Sequence, residues 1–238
     1  LRDAIMHRMA RGLDLELLAS RSAVTYVNGV YWGIYNIRER SDRQYITTHL
    51  GLEDVDILEF AGGVVEGDGE HYQGLLEIFR TEDMSSPETY ARVQARVDTD
   101  NFATYQIMQI FYGNHDWPGN NIKFWRPRTP DGRWRWLMFD TDFGLGGVRD
   151  PNRGSSAGEN TLAFALRPDG PGWPNPPWST EPLRAMMQNP QFRIDFINRF
   201  ADYLNTMLKP EITRPIVAEA AATIAPEMPR HIERWGRI

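Results

Sequence analysis

Apolar side chains recur along the chain at helical or strand-like spacing, and this pattern predicts most of its elements. Residues 2–18 carry apolar positions near every fourth residue and are predicted to form one helix. Residues 22–27 and 30–37 flank an Asn28-Gly29 pair, which favours a type I′ turn and therefore a hairpin. Further strands are predicted at 55–60, 122–126 and 134–139, and helices at 42–50, 71–79, 87–97, 102–112, 180–187, 190–208 and 210–224.

Two stretches lack this periodicity. Glycines interrupt residues 62–69, which predicts a loose loop. Residues 149–178 are rich in proline and glycine, and we expect one long loop there because helical patterns resume after it. The chain therefore has a small β-containing front part and a larger helical back part, which indicates an α+β fold.

Composition narrows the class of protein. The chain has 238 residues, 41% of them apolar and 24% charged, as in a globular domain. A net charge of −6 argues against a nucleic-acid partner, and the absence of cysteine excludes disulfides and thiolate chemistry. No apolar run approaches the roughly 18 residues that span a bilayer, so we expect no membrane span. Because the chain starts at Leu1 and not at Met, we expect further domains in the full-length protein.

The first stretch with recognisable chemistry is residues 114–121, with the sequence NHDWPGNN. Asp116 and Asn121 have the Asp-x4-Asn spacing of the protein-kinase catalytic loop. In that loop the aspartate accepts the proton of the incoming hydroxyl, and the asparagine binds a magnesium ion. The alternative interpretation is a plain turn, since Asn, Asp, Pro and Gly are turn formers.

The second stretch follows the apolar strand predicted at 134–139. Asp140 and Asp142 come directly after it, and Asp142-Phe143-Gly144 spells the kinase metal-binding triplet. Two carboxylates just beyond a strand end can converge on one hard cation. Taken alone, this is also what an aspartate-rich loop capping a strand looks like. The two stretches occur in the kinase order with a short hairpin between them, and together they favour a shared metal and nucleotide site.

The chain resembles the CotH kinase family, which is named for spore-coat protein H and is similar to protein kinases in fold. The resemblance covers nearly the whole chain, and its specific parts are the hairpin and the Asp-x-Asp segment. The matching segments are residues 27–39 (VNGVYWGIYNIRE), the Asn-x-Asp and Asn-Asn pairs of 114–121, residues 134–144 (WRWLMFDTDFG) and the C-terminal helices.

The resemblance implies roles for individual residues. Asp116 is the expected catalytic base, and Asp140, Asp142 and Asn121 are the expected ligands of Mg²⁺ or Mn²⁺, with Asp140 and Asp142 left equivalent. Asn121 also contributes to the nucleotide site. Trp134 is expected to stack on adenine, with a core position as its alternative. Glu39 is expected to play the ion-pair role of the kinase αC glutamate, with a surface carboxylate as its alternative.

The resemblance also implies a two-lobed, protein-kinase-like arrangement. The chain is expected to be a single domain over 1–238, with a partial, truncated N-lobe over 1–65 and a helical C-lobe over 66–238 that carries both loops. Family members have an upstream region with a basic residue near the phosphates, and this chain does not show it. Arg2 or an arginine of the hairpin is the candidate replacement for that positive charge.

The function expected from these motifs is transfer of a phosphoryl group from ATP to a Ser or Thr hydroxyl of a protein. The family relationship points to surface or spore-coat proteins as substrates, and to a secreted, cell-surface or spore-associated bacterial location. The main alternative is a non-catalytic surface adhesin or binding module on the same fold. A metal-dependent hydrolase built on Asp140 and Asp142 ranks last, because no histidine has metal-ligand spacing.

Overall fold

The computed structural model describes residues 1–146 and 158–236. Within these ranges the chain forms six β-strands, ten α-helices and a 3₁₀ turn at Ala225–Glu227. The strands are β1 Ser20–Val27, β2 Val30–Arg38, β3 Val55–Glu59, β4 Gly63–Glu66, β5 Lys123–Pro127 and β6 Arg135–Leu137. The helices are α1 Arg2–Met9, α2 Arg43–Leu50, α3 Glu70–Thr81, α4 Pro87–Gln94, α5 Thr99–Tyr112, α6 Thr161–Ala165, α7 Glu181–Met186, α8 Pro190–Asn205, α9 Pro210–Ile224 and α10 Met228–Trp235.

The described strands form two antiparallel sheets. β1 and β2 pair as the predicted hairpin, and the other sheet has the order β4-β3-β5-β6. Since β3 pairs with both β4 and β5, this sheet joins segments on the two sides of the lobe boundary expected at residue 65. Strand β4 lies where a loop was predicted. It is a short edge strand whose register against β3 shifts at Ile57/Leu58. Its sequence therefore lacks the regular alternation of apolar and polar residues that predicts a strand.

Helix α5 is the centre of the main core. The side chain of Asp98 accepts a hydrogen bond from the Asn101 amide and caps its start, and Gly113 ends it in the left-handed conformation at φ 55°. Nearly every side chain between these caps is buried, so the helix is enclosed on all sides and does not expose one polar face to solvent. It packs against β6, α6 and α8. The loop that follows α5 therefore starts from a fixed point in the core.

The single helix predicted for residues 2–18 is wrong beyond Met9. Gly12 adopts φ 86°, a left-handed conformation that ends helical geometry and suits glycine. The chain then becomes extended, and Glu16 forms a parallel bridge with Leu137 at the end of β6. Leu13 and Leu17 pack against the core cluster that contains Ile5, Met6 and Met9 without continuing the helix.

The long loop predicted for 149–178 contains one short helix, α6, in its described part. The remainder of that prediction, residues 149–157, lies outside the described residues. Asn160 caps α6 by accepting a hydrogen bond from the Ala163 amide. The turns between α6 and α7 run over the loop that follows α5, as described below.

The α+β class is confirmed by these helices and small sheets. The division into two kinase-like lobes and the boundary near residue 65 stay predictions. No helix in the described ranges is long and apolar enough to cross a membrane.

Candidate active site

The loop of residues 114–121 leaves α5 as a tightly hydrogen-bonded turn. Asn114 is fully buried, and its side chain donates to Gln109 Oε1 at 3.0 Å and accepts from the Asp116 amide at 3.2 Å. The Asn120 amide donates to the Asp116 carbonyl at 3.2 Å. These bonds hold the loop in one conformation and place the Asp116 side chain on it.

The carboxylate of Asp116 receives three N–H donors. Its Oδ2 accepts from the side-chain amides of Asn120 and Asn121, both at 2.8 Å. Its Oδ1 accepts from the indole nitrogen of Trp173 at 3.1 Å. The residue is 8% exposed, so a carboxylate with restricted solvent access is oriented by donors from two separate segments. A carboxylate has about four lone-pair sites, so about one is left for a further donor.

Asn121 joins the two predicted loops. Its side-chain nitrogen donates to Asp116 Oδ2 and also to the backbone carbonyl of Asp140, at 3.1 Å. Asn121 and Asp140 both adopt left-handed φ values, 53° and 51°, which asparagine and aspartate tolerate better than most residues. Since both side-chain N–H groups point into the protein, the side-chain carbonyl oxygen of Asn121 is the atom left for a ligand.

Negative charge accumulates around Asp140. Partial burial, together with the charges of Asp142, Asp3 and Asp116, raises the pKa of Asp140, and Arg38 opposes this shift. The pKa of a carboxylate rises in this way when it is partly buried and like charges nearby are not balanced by cations. The structure therefore places Asp116, Asp140 and Asp142 in one electrostatic group on the same side of the molecule.

Asp3 anchors the second loop, and the sequence patterns did not single it out. Its Oδ1 accepts from the amide and hydroxyl of Thr141, at 2.7 and 3.0 Å, and Arg38 pairs with its Oδ2 at 2.5 Å. Burial raises the pKa of Asp3, but its contacts with His7 and Thr141 and the charge of Arg38 outweigh burial, so the pKa is lowered overall. An aspartate in the first turn of a helix has no spacing that marks this contact.

Two arginines approach the same loop. Arg2 donates from Nη1 to the backbone carbonyl of Asp142 at 2.9 Å. Arg38, at the end of β2, reaches Asp3 and influences Asp140 electrostatically. Arg2 and the hairpin residue Arg38, both candidates from the sequence for contacting phosphates, thus lie beside the acidic residues.

A further contact ties the two loops together. The amide of His115 donates to the carbonyl of Phe143 at 3.3 Å, and its buried ring pairs with Glu159 at 2.8 Å. Glu159 lies just before α6, so His115 connects both acidic loops to the segment that leads to Trp173.

Glu39 is not among these residues. Its carboxylate accepts from the Ala19 amide at 2.7 Å and contacts His49 Nε2 at 2.6 Å. Burial raises the pKa of Glu39, but the Ala19 amide and His49 outweigh this effect and lower it overall. Within the described residues its ion pair is with His49, and the αC-type role expected from the family stays a prediction.

Trp134 is a core residue. It is 0% exposed, its ring lies 5.4 Å from those of Tyr72 and Phe124, and its indole nitrogen donates to His71 at 2.9 Å. Because the indole of Trp134 is fully buried, neither of its faces is open for an adenine ring to stack on. The expectation of adenine stacking is therefore corrected: the apolar strand places Trp134 inside the sheet packing.

The acidic group offers oxygen donors to a divalent metal without forming a complete cage. In the described part of the chain, no three His, Asp or Glu side chains converge as a ready-made metal cage. Magnesium, however, is usually held by one or two carboxylates together with substrate phosphates. Asp140 and Asp142 with the side-chain oxygen of Asn121 are such a donor set. The pKa of Asp140 is raised first by burial and then by neighbouring negative charges, and a cation would balance those charges. The residues present fit a metal that arrives with a nucleotide.

The helical core and the small sheets define a chain of the α+β class with two joined acidic loops. Residues 1–238 match the family described as CotH kinase protein, so the chain belongs to the CotH kinase family over its whole length. No curated protein matches it.

Proposed function

We propose that this chain is an ATP- and divalent-metal-dependent phosphotransferase that phosphorylates Ser or Thr hydroxyls of proteins. The observation that carries the proposal is the side chain of Asn121, which bonds both to Asp116 and to the backbone of Asp140. This bridge supports the proposal because phosphoryl transfer needs the base and the metal-binding carboxylates at fixed mutual positions. Membership of the CotH kinase family supports the same chemistry.

In the proposed reaction, Asp116 orients the acceptor hydroxyl and takes its proton. The acceptor oxygen forms a bond to the γ-phosphorus as the bond between that phosphorus and the β–γ bridging oxygen breaks, and ADP leaves. Asn120, Asn121 and Trp173 keep the Asp116 carboxylate in place through their N–H groups. Asp140, Asp142 and Asn121 would hold Mg²⁺ or Mn²⁺, which when bound neutralises phosphate charge. Arg2 would add positive charge beside it.

The proposed acceptor is a surface or spore-coat protein, and the proposed location is extracellular or spore-associated. Both follow from the family alone. The acceptor is identified by incubating the full-length protein with candidate surface extracts and γ-labelled ATP.

The test of the reaction is transfer of label from ATP by the wild-type protein and by Asp116→Asn. Removing the base should lower kcat about 10²- to 10⁴-fold, because general bases contribute factors of this size. Asp131→Asn is the matched control, since Asp131 is an exposed aspartate in the turn between β5 and β6. Unchanged transfer by Asp116→Asn would show that this residue is not the base.

The alternative function is a non-catalytic surface binding module. Thermal melting with and without Mg²⁺ and ATP distinguishes this alternative from the proposed phosphotransferase. A ligand that binds only the folded state raises its melting temperature. A shift together with transfer supports the enzyme. No shift and no transfer supports the binding module.

A further inference from the structure

Trp173 contacts the proposed base from a segment that carries no recognised motif. Trp173 lies in the proline-rich turns between α6 and α7, and its indole nitrogen donates to Asp116 Oδ1 at 3.1 Å. The other oxygen of the carboxylate is held by the two asparagines of the catalytic loop. Trp173 is therefore the donor on the side of Asp116 opposite the link to Asp140.

The turns that carry Trp173 are fastened to the catalytic loop. The carbonyl of Pro174 accepts from the Gly119 amide at 2.5 Å, and a Cβ on Gly119 would lie 2.4 Å from Pro176 Cδ. Asn175 is fully buried, donates to the Phe164 carbonyl at 2.6 Å and accepts from the Ser179 hydroxyl at 3.1 Å. These contacts fix the backbone directly after Trp173, and the hydrogen bond to Asp116 holds its indole in place before any ligand binds.

The indole of Trp173 is nevertheless open to solvent. It is 53% exposed, whereas the tryptophans of the main core are almost completely buried. A large aromatic side chain that is fixed in position and exposed is a frequent centre of protein recognition. Here it lies beside the carboxylate that the acceptor hydroxyl must reach, and Asp116 keeps about one lone pair for that hydroxyl.

We propose that Trp173 recognises the acceptor protein. Its exposed indole packs against a large apolar or aromatic side chain near the acceptor Ser or Thr, while its N–H holds Asp116 in the orientation that receives the hydroxyl proton. Trp173 thus both determines acceptor preference and positions the base. This inference rests on the proposed phosphotransfer and adds the class of acceptor sequence to it.

The test uses a positional peptide library, in which each position around a Ser or Thr is fixed in turn as every amino acid, with γ-labelled ATP and Mg²⁺. The wild-type protein should prefer large apolar or aromatic residues at one position. Trp173→Ala should abolish that preference and raise KM for the preferred peptides about tenfold, the effect of losing one well-packed aromatic contact. KM for ATP should stay unchanged.

Trp173→Phe separates the two roles. Phenylalanine keeps an aromatic face but has no N–H donor, so the peptide preference should survive while kcat falls about 10- to 100-fold, as expected for one hydrogen bond to a charged group. This variant also keeps the test decisive if Trp173→Ala folds poorly. Trp235→Ala is the matched control, because Trp235 is 42% exposed and its indole nitrogen is also bonded, to the Trp32 carbonyl on the β1–β2 hairpin.

The outcomes distinguish this inference from the function on which it rests. Transfer by Trp173→Ala with the wild-type preferences and KM would overturn the role of Trp173 alone. No transfer by the wild-type protein, either to any peptide or to itself, would overturn the proposed function and this role with it.

Discussion

At the scale of single residues, charge balance around the second acidic loop depends on a buried carboxylate. Asp3 receives two hydrogen bonds from Thr141 and pairs with Arg38, and it thereby fixes the backbone between Asp140 and Asp142. The same arginine partly offsets the negative charge on Asp140. Asp3 therefore acts on the candidate metal ligands without being one of them.

We expect Asp3→Asn to lower the free energy of unfolding at pH 7 by about 1–3 kcal/mol, because Arg38 loses its charged partner. The folded-state pKa of Asp3 is lowered from its ordinary 3.8, so its stabilising contribution is complete above that value and is lost as the pH falls through the folded pKa. The difference between wild type and variant should therefore shrink below about pH 4. Urea unfolding at pH 7 and pH 3 measures it.

The control for this prediction is Asp54→Asn, because the side chain of Asp54 is 81% exposed and its ion pair is with a surface arginine. It should change stability by less than about 0.5 kcal/mol at either pH. A gap between wild type and Asp3→Asn that is equally large at both pH values would contradict the assignment of Asp3 as a charged anchor.

Residue patterns anticipated part of this site. The spacing of Asp116 and Asn121 and the position of Asp140 after a strand were visible because loop chemistry and strand ends are local features. The contacts of Asp3 and Trp173 were not, since each depends on a segment distant in sequence. The adenine-stacking role expected for Trp134 was wrong, because the sequence pattern of an aromatic residue beside a strand is the same whether its side chain faces a ligand or the core.

At the scale of elements, the turns before α7 and the loop after α5 behave as one packed unit. Gly119 lies at their contact, where its amide donates to Pro174. The absence of a side chain at this position lets the two backbones approach. The position of Trp173 beside Asp116 therefore depends on a glycine in the catalytic loop.

We expect Gly119→Ala to destabilise the protein by about 1–3 kcal/mol, because the new Cβ would lie 2.4 Å from Pro176 Cδ and 2.6 Å from the Pro174 carbonyl. The melting temperature should fall by several degrees, given about 2–4 °C per kcal/mol for a chain of this size. Gly172→Ala is the control, since its Cβ would meet nothing within 4 Å. Equal melting temperatures for the two variants would show that the segments do not pack tightly.

The elements themselves were predicted unevenly. The hairpin, α5 and the C-terminal helices followed from strong local signals such as the Asn28-Gly29 turn and the apolar run of residues 102–112, although the cap of α5 is Asp98 and its start lies earlier than predicted. Strand β4 and the extended segment after Gly12 were missed, because their conformation is set by pairing with distant strands.

At the scale of the whole molecule, the chain encloses its central helix α5 between the four-stranded sheet and the C-terminal helices. This packing brings the end of α5 and the end of β6 together, and with them the loops that begin there. The central claim is that these loops share a metal–nucleotide site through Asn121.

The most direct test is the affinity for Mn²⁺·ATP, measured from the EPR signal of free Mn²⁺ in wild type, Asn121→Ala and Asn120→Ala. Asn120 donates to Asp116 but has no contact with Asp140 among the described residues, so it is the matched control. The account predicts that Asn121→Ala weakens binding about 10- to 100-fold, as loss of a metal-supporting side chain does, and that Asn120→Ala leaves it nearly unchanged. Equal affinity in all three folded proteins would contradict a shared site.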